Sequence, residues 1–224
     1  LRKEFLGVSK LHMYDMYVDL VQSEPRKFTF EEAKEIIMNA LKPLGDSYLN
    51  DLDKAFKERW IDKYPCDGKR SGAYEWGAYG IDPYVSINFE GTEDSVSTLA
   101  HELGHAMHSY YSNKTQPITY ADYLIFVAEV ASTCNESLLN HYLLETETDA
   151  QKKTYILNHY LEAFRTTLFR QTMFAEFEQI VHTRMANGEA LTQETLNQIY
   201  YDLNVLYYGY GKDMRVDEEI AYEW

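Results

Sequence analysis

The chain has 224 residues, 45% hydrophobic and 25% charged, the proportions of a folded globular protein and not of a disordered or fibrous one. It carries 36 acidic against 21 basic side chains, a formal net charge of -15, and no Lys/Arg cluster that could neutralise a run of phosphates; nucleic acid is not expected as a partner. Cys66 and Cys134 stand apart with no CxxC pair, so a reducing compartment, the cytoplasm, is expected. The longest apolar stretch, residues 123–130, is interrupted by Glu129 and too short to span a bilayer, and no leader pattern opens the chain, so no membrane association is expected.

Thr29 and Glu32 form a capping box ahead of Phe30, Ala33, Ile36, Ile37, Ala40 and Leu41, whose spacing predicts a helix over about 29–42. After the break at residues 42–45, Tyr48, Leu49, Leu52, Ala55, Phe56 and Trp60 predict a second helix, and the two make a helical hairpin. Residues 62–91 change character: Pro and Gly punctuate short runs rich in Tyr and Val, as turns and small strands require, and residues 85–89 are the best strand candidate. That strand is a candidate exposed edge able to pair with an extended peptide. Helices are expected over about 92–111, 120–145 and 150–187, where Gly188 stops the last, and from Thr192 to Leu206, with breaks at Gly209 and Gly211 and helix again from Val216. The fold class is mainly α with a small β insertion between about 70 and 90. With no repeat and no linker-like tract, residues 1–224 are expected to form one unit.

The chemistry is concentrated in His101-Glu102-Leu103-Gly104-His105, an HExxH element inside a predicted helix. Four residues at 100° return to within about 40° of the starting direction, so both imidazoles project from one face and can share one tetrahedral ion. Glu102, about 100° around the helix from His101, lies beside that ion and is the candidate general base. A catalytic zinc site of this kind needs a third protein ligand, and Glu129 is a lone carboxylate in an apolar stretch of the next predicted helix. These residues together point to one zinc ion and metal-assisted amide hydrolysis. Glu136, two turns after Glu129, and more weakly Asp94, are candidate acceptors for the second N–H of a ligand imidazole. His108 is either such a supporting group or a structural histidine. Glu102 and His105 also satisfy the i, i+3 element of di-iron carboxylate bundles, but the second pair that those sites need is not found.

The stretches 101–108 (HELGHAMH) and 126–136 (FVAEVASTCNE), supported by residues 71–74, 85–88 and 94–98, resemble the oligoendopeptidase F branch of the thimet oligopeptidase-like zinc peptidases. The resemblance implies a helical, zincin-like catalytic region with His101, His105 and Glu129 as metal ligands. It also implies a deep channel that admits short unstructured peptides and shuts out folded proteins. A His and several Tyr that stabilise the oxyanion in such enzymes would lie beyond Trp224, and Tyr207, Tyr208 and Tyr210 are not assigned that role. The expectation is therefore a zinc metallo-endopeptidase acting on short oligopeptides, represented here by a piece of its catalytic region. The alternative is a zinc-binding helical fragment without activity of its own.

Overall fold

Thr29 opens the first helix as its capping box implies. Its hydroxyl accepts the Glu32 backbone N–H at 3.1 Å while the Glu32 carboxylate accepts the Thr29 N–H at 2.7 Å. In this computed structural model, which describes residues 1–21, 26–209 and 214–224, the helix Phe30–Ala40 buries Phe30, Ala33, Ile37 and Ala40. A 3-10 turn, Lys42–Leu44, and Gly45 at φ 90° lead into the helix Asp46–Lys57, giving the expected hairpin. That φ is cheap only for glycine.

Three short strands follow, Ile61–Asp62, Tyr74–Trp76 and Tyr84–Ser86. Tyr84–Ser86 is the middle strand, parallel to Ile61–Asp62 and antiparallel to Tyr74–Trp76. The expectation of a free edge at residues 85–89 is thereby corrected. The backbone N–H groups of Val85, Ile87 and Phe89 donate to the carbonyls of Trp60, Asp62 and Lys63, and all three side chains are buried. Alternation revealed a strand but could not reveal its neighbours, because the parallel partner lies more than twenty residues away. The outer strands are Ile61–Asp62 and Tyr74–Trp76.

By its contacts the chain divides into two compact units, Glu24–Lys153 and Leu1–Ser23 with Thr154–Trp224. In the first, Leu99, Leu103, Ala106 and Met107 of the helix Glu93–Thr115 pack in one core with Ile37 and Leu52 of the hairpin and Val85 and Ile87 of the sheet. In the second, Met173 of the helix Arg170–Ala186 packs with Ile199, Tyr200 and Leu203 of Gln193–Tyr208.

The predicted helix over 150–187 is Ala150–Ala163 and Arg170–Ala186, joined by a π-helical stretch, Phe164–Phe169. Gly209 ends Gln193–Tyr208 at φ 68°, while Tyr210 and Gly211 lie outside the described residues. The helix expected from Val216 is only a 3-10 turn, Glu218–Tyr222. Met214 and Val216 are buried on either side of exposed Arg215, a strand's period, and Met214–Arg215 pairs in parallel with Leu11–His12. Strands of two residues that join the two ends of a chain leave no local pattern. No helix among the described residues is long and apolar enough to cross a membrane.

Candidate metal centre

Thr92 caps the helix Glu93–Thr115 by accepting the Ser95 N–H at 3.1 Å, and Asp94 sits in its first turn. This helix carries the HExxH element. The helix Ile125–Thr146 carries Glu129 and runs antiparallel to it, as the pairings His101 with Glu136, Gly104 with Ser132 and His108 with Ala128 require. The approach is close because Gly104 has no side chain. A Cβ there would lie 2.6 Å from the Ser132 Cα and 2.8 Å from the Ala131 carbonyl oxygen. Glycine between the two histidines thus lets the Glu129 carboxylate reach both imidazoles, a role that reading the motif alone did not assign.

The three candidate ligands converge. His105 Nε2 is 3.1 Å from His101 Nε2, and Glu129 Oε2 is 3.3 Å from each of those nitrogens. A tetrahedral ion with bonds of about 2.0–2.1 Å separates its ligand atoms by about 3.3–3.4 Å, so the triangle has the dimensions of one face of a zinc site.

The neighbours fix which atoms face inward. His101 Nδ1 is 2.6 Å from Glu136 Oε1; a carboxylate only accepts, so Nδ1 carries the proton and Nε2 turns a lone pair to the centre. His105 has its Nε2 in the triangle and its ring lies near the Ala128 backbone carbonyl, an acceptor that favours a proton on Nδ1 and a lone pair on Nε2. Ser132, fully buried, donates its hydroxyl to Glu129 Oε2 at 2.7 Å. Two lone pairs and a carboxylate oxygen at these distances repel one another, and a cation relieves that repulsion. The donor set therefore fits a divalent ion with nitrogen and oxygen preference.

Glu102 is 6% exposed. Burial pushes its carboxyl up to about 7, with the charges of Glu129 and Glu75 adding and His101 opposing. Burial works against the His101 imidazolium, but the hydrogen bond and charge of Glu136, aided by Glu102 and Glu129, outweigh it and raise the pKa. For His105, burial dominates and lowers it.

His108 stacks on Tyr123 with ring centroids 3.7 Å apart, lies near the Ala128 carbonyl, and keeps a buried Nδ1 with no hydrogen-bond partner among the described residues. It therefore supports the site's wall and stays out of the triangle. Tyr123 in turn is 2.9 Å from the Ser109 hydroxyl, which lies beside the half-buried Glu75 carboxyl of the edge strand Tyr74–Trp76. Sequence reasoning missed both Ser109 and Glu75; neither has a spacing that marks it.

Peptidase family M3 matches this chain over residues 1–222. Oligopeptidase PepF of Bacillus subtilis (strain 168) is 50% identical over all 224 residues, and the match takes in 33% of that protein. Group B oligopeptidase PepB of Streptococcus agalactiae is 44% identical over the whole chain and 37% of its own length. Among solved structures, a Chlamydophila abortus protein superposes with a TM-score of 0.80 at 41% identity, and oligoendopeptidase-F of Enterococcus faecium with a TM-score of 0.62 at 38% identity. All of this chain is covered, and 37% and 32% of those chains. The chain thus spans about a third of the length of these relatives. With its HExxH helix, its Glu129 helix and a match running nearly end to end, this chain belongs to peptidase family M3.

Proposed function

We propose that the chain is part of the catalytic region of a zinc metallo-endopeptidase that cuts internal bonds of short peptides, and that both compact units belong to that one region. The observation that carries this reading is the triangle of His101 Nε2, His105 Nε2 and Glu129 Oε2, with edges of 3.1–3.3 Å. The names oligopeptidase and oligoendopeptidase borne by the relatives support the reaction class. A family match spanning both units supports a single region.

A zinc ion held by these three residues would supply Lewis acidity toward a peptide carbonyl and toward water. The protein's part is positional. Glu136 and the Ala128 carbonyl set the two imidazole tautomers, and Ser132 sets the orientation of the Glu129 carboxylate. Glu102, next to His101 on the same helix, takes a proton from the attacking water at its carboxylate and returns it to the departing amine. Peptides are the expected substrates, with nucleic acid disfavoured by the charge of -15. The free thiols of Cys66 and Cys134 suit a reducing compartment, the cytoplasm.

A second reading, a zinc-binding portion without activity of its own, is favoured by the chain's span of about a third of its relatives. The two are separated by assaying zinc-loaded chain and its Glu102→Gln variant on an internally quenched peptide. Cleavage that falls about 10²–10⁴-fold in the variant with zinc retained supports the catalytic reading. Zinc bound with no cleavage by the parent supports the second. Equal cleavage by parent and variant removes Glu102 from the chemistry.

A further inference from the structure

We infer that Asn135 is a positioning residue for the metal centre: it sets the axial register of the two site helices so that Glu129 meets His101 and His105. The inference rests on the metal-centre reading above and extends it to a residue that touches none of the three ligands.

Asn135 is 1% exposed, and its Nδ2 donates to the Ala100 carbonyl at 3.0 Å. Ala100 precedes His101 and Asn135 precedes Glu136, so the Asn135–Ala100 and Glu136–His101 bonds are neighbouring rungs between the same two helices. A slip of one residue moves a helix by about 1.5 Å along its axis and about 100° around it. That slip would take the Asn135 amide off its acceptor and carry Glu129 away from the imidazoles.

Beyond the close approach at Gly104, shape does little to single out this register in the turns around Glu129. The buried residues of the Glu129 helix are Ala128, Ser132, Asn135, Leu139 and Asn140, mostly small or polar, and interfaces of that kind lack the interlocking large side chains that select one packing. A buried amide is different, because each wrong register leaves it without a partner. The amide is also held from behind. The Tyr48 hydroxyl lies beside the Asn135 side chain, its ring stacks on Tyr111 of the HExxH helix with centroids 6.1 Å apart, and the Tyr111 hydroxyl donates to Asp51 at 3.1 Å. The helix Asp46–Lys57 thereby grips both site helices at once.

The test compares Asn135→Ala with Leu139→Ala, an equally buried apolar truncation on the same helix. Zinc affinity is measured by competition with a chelator, and the denaturant midpoint is measured in parallel. We expect Asn135→Ala to weaken zinc about 10–100-fold, as loss of a supporting contact around a metal does, while Leu139→Ala lowers the midpoint at least as far and leaves zinc affinity within about threefold of the parent. Tyr48→Phe, which removes only a hydroxyl, moves affinity in the same direction by a smaller factor and serves if Asn135→Ala fails to fold. Parent-like affinity in Asn135→Ala and Tyr48→Phe, or an equal loss in Leu139→Ala, overturns the inference. If the parent takes up no zinc, the metal reading itself fails. The inference is then decided on metal-free protein by the low-field NMR signal of the His101 Nδ1 proton, displaced in Asn135→Ala if Asn135 sets the register and unmoved if it does not.

Discussion

The helix Glu93–Thr115 turns Val96, Leu99, Leu103 and Met107 into the core, whereas the helix Ile125–Thr146 turns Ser132, Asn135 and Asn140 inward and leaves Ile125, Phe126 and Val130 exposed. The first behaves as an amphipathic helix should. The second inverts the rule over its first two turns, where Phe126 is 90% exposed. A helix whose inner face is polar contributes hydrogen bonds to a site more than it contributes burial, so the HExxH helix anchors the centre and the Glu129 helix completes it.

The difference can be broken most strongly from the anchoring side. Leu103, with no exposed surface, sits inside the HExxH element. Its truncation in Leu103→Ala is expected to cost about 3–4 kcal/mol through lost burial and a cavity, read as a fall in the urea midpoint. Next is the seam between the helices. Gly104→Ala drives a methyl into the backbone at Ser132 and Ala131, with an expected loss of about 2–3 kcal/mol from overpacking and a loss of zinc as the helices part.

Acid tests the far end of the HExxH helix. The Lys54 ammonium, hydrogen-bonded to Asp51, holds its carboxyl below the usual carboxylate range, with Tyr111 and Lys114 helping. A depressed folded-state pKa gives stability that is present above the unfolded value of about 3.9 and is lost as pH falls through the folded value. Asp51→Asn is therefore expected to lower stability at neutral pH and to flatten the decline below about pH 4, followed by circular dichroism. The smallest effect belongs to the exposed end of the Glu129 helix, where Phe126→Ser is expected to change stability by less than about 0.5 kcal/mol in this chain.

How much of this was legible beforehand follows the same division. That His101, His105 and Glu129 come together was legible because i, i+4 spacing on a helix and a carboxylate stranded among apolar residues are local signals. Thr29, Thr92 and Thr192 announced helix starts that the structure places one residue later. Gly104, Ser132 and Asn135 were not legible as parts of the site, because their roles exist only once two helices lie side by side. The same holds for the middle position of Tyr84–Ser86 and for the pairing of Leu11–His12 with Met214–Arg215. Ile125, Phe126 and Val127, the apolar run before Glu129, are exposed, which the sequence could not show, since periodicity records which residues share a face and not what lies against it.

The central claim is that His101, His105 and Glu129 hold one zinc ion between these two helices. It is tested most directly by zinc content after gentle purification of the parent, His105→Ala and Glu129→Ala. The account predicts about one zinc per chain in the parent and little in either variant, as a three-ligand site requires. No zinc in the parent, or zinc indifferent to Glu129→Ala, would contradict it.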